Sequence, residues 1–177
     1  MADVNTPPTV TLAPPHRNSI GRFLLWFLPG ILAALAIARV SVSIQDRFAP
    51  LIVLPICVGA AVACVSYGLM HLAGFRSFWP AVIGTMLLGL IAAAGEHAFF
   101  YFDFRAEYLR QIENKPQLAA TGFCPPSIKE YFVRQSQVDS KTLWLWTSHA
   151  ILLVAAAGAM TGWLVRRADR STASSAQ

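Results

Sequence analysis

The sequence predicts an all-α integral membrane protein: four transmembrane helices in a small bundle, with one long extramembrane loop between helices 3 and 4. Three observations predict it. The apolar residues are gathered into uncharged blocks. From Phe48 to Phe75 there is no Asp, Glu, Lys or Arg, and none from Ser77 to Gly95 or from Thr142 to Val165. Phe23 to Ala38 is a shorter block of the same kind. Only 13% of the residues are charged and 55% are hydrophobic, whereas a soluble domain carries about a quarter charged residues. Finally, Trp26, Trp79, Trp144, Trp146 and Trp163 all fall near the ends of the blocks, where an amphipathic indole settles at a membrane–water interface.

A helix needs about 20 mostly apolar residues to cross a bilayer. The blocks therefore give spans at about 22–44, 49–70, 78–102 and 143–165, which together make a membrane domain over 22–165. Residues 1–21 contain four prolines and no apolar periodicity, and read as a disordered tail. The first span has a rival reading as a cleaved signal peptide, because "GRFLLWFLPGILAALAIA" combines a basic flank, an apolar core and small residues. The long preceding segment and the interruption at Pro29 oppose cleavage.

A polar turn around Gln45-Asp46-Arg47 joins the first two spans. "HLAGFRS" is short enough to make spans two and three an antiparallel hairpin. Pro29 and Pro55 are candidate kinks in the first two spans.

The loop, 103–142, is the one extramembrane segment long enough to hold structure. Phe104, Tyr108 and Ile112 recur every four residues, so the third helix can run on past the bilayer until Pro116 stops it. Ser127 and Glu130 have the spacing of a capping box and predict a short amphipathic helix at about 128–135. Residues 166–177 read as a basic, then disordered, tail.

The net charge of +5 does not point to nucleic acid. The basic residues are scattered, with no run longer than Arg166-Arg167 and no aromatic interleaving. They serve instead as topology signals. The Arg166-Arg167-Arg170 flank is the densest and places both termini on the cytoplasmic side of a cell (inner) membrane. Cys57 and Cys64, seven residues apart on one helix, lie about 10 Å apart and cannot bridge. Cys124 stands alone, and no cofactor motif is present. HExxH, GxSxG, the P-loop and GxGxxG are all missing, so nothing in the sequence names an enzyme.

Lipid is as apolar as leucine, so membrane helices associate through small residues that let backbones approach. Gly158 and Gly162 form such a step on span four, with Ala155 and Ala159 extending its face. Gly59 and Ala63 form one on span two, and Gly89 with Ala92 and Ala93 on span three. These faces can pack within one chain, or against a second copy or a membrane partner protein.

Glu96 continues the small face of span three, seven residues after Gly89, and so points at protein. Arg39, Glu96, His97 and His149 all lie near the loop end of their spans and can share one polar layer. Three arrangements are open to them. Arg39 can pair with Glu96 while the histidines bond to backbone or headgroups. Glu and His can hold a proton or, with two imidazoles, a metal. The layer can also contact a lipid headgroup or a partner. His149 lies well around the helix from the Gly158/Gly162 face, which argues against a tight cluster. Two functional expectations follow. The first is a small non-enzymatic membrane subunit or scaffold that acts through helix packing and its loop. The alternative is a proton- or metal-responsive, transporter-like protein that uses the Glu/His layer.

Overall fold

The computed structural model describes residues 19–45, 52–75, 77–115, 117, 124–138 and 140–174. Residues 1–18, the Asp46-Arg47 turn, Pro116 and residues 175–177 lie outside that set. Five helices make up the described chain. They are α1 (Ser19–Gln45), α2 (Val53–Leu72), α3 (Phe78–Asn114), α4 (Ile128–Val138) and α5 (Ser140–Ser174). Four of them, α1, α2, α3 and α5, are long and apolar enough to cross a membrane.

Two helices outrun the expected spans. α3 continues beyond the span end at 102 through Asn114, the extension that its apolar spacing predicts. The reason lies in Phe104, Tyr108 and Ile112, whose four-residue spacing gives the extension an apolar edge. α5 starts at Ser140 and runs through Ser174, so most of the expected C-terminal tail is helical. Ala168 and three arginines there are good helix formers, and propagating an existing helix costs little. Pro55 and Pro80 fall in the first turns of α2 and α3, where a missing N–H is harmless. Pro55 is therefore a helix-start residue and not a mid-span kink. Pro29 does lie inside α1.

Between α2 and α3 the chain turns at Gly74, whose φ of 63° suits a residue without a Cβ. Phe75 N–H donates to the Met70 carbonyl at 3.0 Å and closes the end of α2. The two helices nevertheless touch only lightly. α2 packs along α1 and α5, while α3 packs along α1 and α5 from the other side. The hairpin partners thus sit across a diagonal, because each turns its small-residue face to α5.

Glycine makes this possible where α2 meets α5. A Cβ on Gly59 would lie 2.4 Å from the Leu153 carbonyl oxygen and 2.9 Å from the Ala156 Cβ, so only a hydrogen fits. Gly89 of α3 meets the same helix, with a Cβ position 3.3 Å from that of Ala157. Ala63 is fully buried. Gly158 faces Met86 of α3, whereas a Cβ at Gly162 would make only ordinary contact with Phe78 and Val82. All five small residues therefore meet, or lie among, other helices of this chain.

The core runs as rows of residues four apart, the ridges that pack into a neighbouring helix. On α1 the row is Trp26, Gly30, Ala34, Ala38 and Val42. Trp26 is completely enclosed and fills the gap left by Gly84 of α3. Across the α2–α3 diagonal, Ser66 and Thr85 are joined at 2.8 Å. The Thr85 hydroxyl hydrogen goes to the Ala81 carbonyl, so Ser66 is the donor of that bond. Outside the core, the surface is as greasy as the inside. Leu24, Leu28 and Leu32 of α1, Ile56 and Val65 of α2, Ile83 and Leu90 of α3 and Ile151 of α5 are all exposed.

Candidate functional site

Glu96 is placed by the helix that carries it. Gly89, Ala92 and Ala93, at seven, four and three residues before it, form the inward face of α3, and Glu96 extends that face. It is 2% exposed, one of the few buried polar side chains among the described residues. On α5 the inward row is Leu153, Ala157, Thr161 and Val165, all buried. His149 stands one step before Leu153 on the same row. Its Nε2 lies 2.7 Å from Glu96 Oε2. The imidazole and the carboxylate, 53 residues apart in sequence, thus tie α3 to α5.

The second Glu96 oxygen, Oε1, is buried and has no hydrogen-bond partner among the described residues. An unpaired buried oxygen is unusual, and more costly as half of a carboxylate than as the carbonyl of a carboxylic acid. The pair can carry one proton in two ways. The proton sits on Glu96 Oε2 and is donated to the imidazole, or it sits on His149 and is donated to the carboxylate. Both forms keep the pair neutral overall. Gaining or losing a proton leaves a net charge in a buried place, which costs several kcal/mol.

The other two candidates go elsewhere. Adjacent residues on a helix face different directions, and His97 packs on Trp146, ring centroids 4.6 Å apart, instead of sharing the pair's hydrogen bond. The expected pairing of Arg39 with Glu96 is replaced by an ion pair between Arg39 and Asp103. Asp103 is seven residues beyond Glu96, about 10 Å further along α3, and both partners are close to half exposed. The Arg39 guanidinium also lies 5.6 Å from the Phe99 ring centroid. The polar layer is therefore split into an enclosed pair, Glu96–His149, and an outer pair, Arg39–Asp103. Among the described residues, no three His, Cys, Asp or Glu side chains converge where a metal could sit.

Above the pair, the loop helix is docked by aromatic residues. The Tyr101 hydroxyl, on a side chain 3% exposed, donates to the Pro126 carbonyl at 3.1 Å. Tyr131 of α4 packs on Tyr101 and Phe104 of α3, with centroids 5.4 and 5.3 Å apart. Burial among these rings pushes the Tyr131 phenol up from its usual range. Phe132 meets Trp146 of α5 edge to face. The capping box at the start of α4 is formed in full. Ser127 N–H donates to Glu130 Oε2 at 2.8 Å, and Glu130 N–H donates to Ser127 Oγ at 3.3 Å. These bonds, the backbone one foremost, hold the Glu130 carboxyl below its usual range. All three cysteines are free and exposed.

The Arg39–Asp103 pairing escapes a reading that matches Arg39 to Glu96. The His149 contact escapes one that takes Gly158 and Gly162 as the inner face of the last helix. The four-residue row from His149 through Val165 is the signal that finds it. No protein family, curated protein or solved structure matches this chain.

Proposed function

We propose that this is a non-enzymatic, bilayer-embedded protein whose working centre is the Glu96–His149 pair, a proton-dependent latch between the third and last helices. Lipid embedding is supported by four apolar helices whose outward residues are as hydrophobic as their core. Charged faces would be expected there in water. The packing of Trp26, Ala34 and Ala38 into the bundle supports retention of the first segment. Four crossings return both termini to one side. The basic residues Arg22, Arg166, Arg167 and Arg170 make that side cytoplasmic, in a cell (inner) membrane.

The observation that carries the latch is the 2.7 Å contact between an enclosed carboxylate and an imidazole, with the second carboxylate oxygen unsatisfied. Ionisable groups inside a membrane bundle are costly and tend to mark functional sites. The latch holds best with one shared proton and weakens when a second arrives or the first leaves. His97, packed on Trp146, and the Arg39–Asp103 pair lie on the same end of the bundle.

Thermal unfolding in detergent across about pH 4 to 9 tests the latch, using Glu96→Gln, His149→Gln and the double variant. Wild type should be most stable at intermediate pH and lose stability on both sides. Either single variant should flatten the curve, and the double variant should add nothing further. A full pH response surviving in Glu96→Gln would sink the latch.

A second reading, a subunit or scaffold presenting the loop to a membrane partner, is favoured by the aromatic docking of α4. That docking gives the loop a fixed surface on which Ile128 and Val133 are exposed. Under this reading, Glu96→Gln changes stability alone, and substitutions on α4 release the partner.

A further inference from the structure

At the opposite end of the bundle, a groove of about 690 Å³ runs between the start of α3 and the second half of α5. Phe78, Trp79 and Val82 form one wall, and Gly158, Gly162 and Trp163 the other. Past the apolar part, the same groove is lined by Arg166, Arg167 and Arg170, all exposed. The guanidinium of Arg166 lies 5.2 Å from the Phe78 ring centroid, and that of Arg167 lies 5.1 Å from the Trp163 centroid. A guanidinium beside a ring face still has N–H donors to offer an anion.

We propose that this groove binds an anionic phospholipid, with the phosphate on the arginines and an acyl chain along Phe78, Val82, Gly158 and Gly162. The dimensions fit one leaflet. Gly158 to Arg166 is about 12 Å along the helix, against about 15 Å for half of a hydrocarbon core. The chemistry fits as well. A free phosphate leaves the apolar walls bare, and a neutral lipid brings no net negative charge to the arginines. A second copy of this chain, docked in the same membrane orientation, would bring a like-charged arginine cluster alongside the first. Basic clefts between membrane helices on the cytoplasmic side are suited to anionic headgroups. The inference rests on the membrane embedding proposed above and is independent of the Glu96–His149 latch.

The test is native mass spectrometry of the full chain, purified in detergent, delipidated and titrated with dioleoyl phosphatidylglycerol or dioleoyl phosphatidylcholine. Wild type should favour phosphatidylglycerol by about tenfold or more, from roughly fivefold per arginine near the surface. Replacing Arg166, Arg167 and Arg170 together by Gln should remove the preference, while Gly162→Leu should weaken both lipids. Because a Cβ at Gly162 would meet Phe78 and Val82 no closer than 3.8 Å, the added side chain extends into the groove. Val82→Trp, from the other wall, repeats the block if Gly162→Leu misfolds. Equal binding of the two lipids, displacement by inorganic phosphate, or a dimer lost on blocking the groove while lipid binding persists would each overturn the proposal. Detergent-phase partitioning of the same preparation distinguishes the two possible failures. Protein that partitions into detergent but shows no lipid preference overturns the lipid site alone, whereas protein that stays in the aqueous phase overturns the embedding and the lipid site together.

Discussion

The two ends of the bundle treat charge in opposite ways. At the loop end, three acid–base pairs form: Glu96 with His149, Asp103 with Arg39, Glu107 with Arg110. At the end where α1 starts and α5 finishes, the described ionic side chains are cations. Arg22 donates to the Gly74 carbonyl at 3.1 Å, and Arg166 and Arg167 lie on aromatic rings. Asp169 is in the same stretch of sequence, but its side chain lies outside the described residues. The first end holds ion pairs of its own, and an outside anion is what we propose for the second. Substitutions should therefore act on folding at the first end and on binding at the second.

His149→Ala is the largest expected effect. It leaves Glu96 enclosed with neither oxygen satisfied, and removing one member of a buried pair costs about 3 kcal/mol. Arg166→Gln and Arg167→Gln should each change the stability of delipidated protein by less than about 0.5 kcal/mol, as surface substitutions do. Comparing unfolding temperatures of the three variants measures the contrast, and equal losses at both ends would erase it.

The smallest effect sharpens the loop end alone. Glu130 has a folded pKa below its unfolded value, so its capping bonds contribute stability that is fully present above the unfolded pKa. That contribution fades as pH falls through the folded value. Amide exchange at the start of α4, corrected for intrinsic rates, should therefore lose protection on acidification. Glu130→Gln should lose most of that pH dependence, since an amide does not titrate.

How much of this was legible in the sequence differs from helix to helix. The four apolar helices stand out because their residues gather into long stretches without charge. Glu96 pointing inward follows from Gly89, Ala92 and Ala93. Its partner does not, because the Gly158/Gly162 step marks one packing face of α5 and the row from His149 another. Gly158 packs on Met86, whereas Gly162 lines an open groove, and the buried row starts instead from His149. Spacing puts Glu96 and Asp103 seven residues apart on one face of α3 and does not say which of them Arg39 takes. Once α3 continues through Asn114, Asp103 is a fixed helical position within reach. Spacing reveals which residues share a face, but not which neighbouring helix that face meets. Hence the α2–α3 diagonal stayed hidden as well.

Every proposal above presupposes that α1, α2, α3 and α5 have lipid around them, and the three exposed cysteines test this directly. Cys57 and Cys64 lie outward on α2, and Cys124 lies in the segment before α4. Labelling of intact membranes with a charged maleimide should modify Cys124 and spare Cys57 and Cys64, which should react once the protein is denatured in SDS. Equal labelling of all three cysteines before denaturation would show water around α2 and contradict the membrane account.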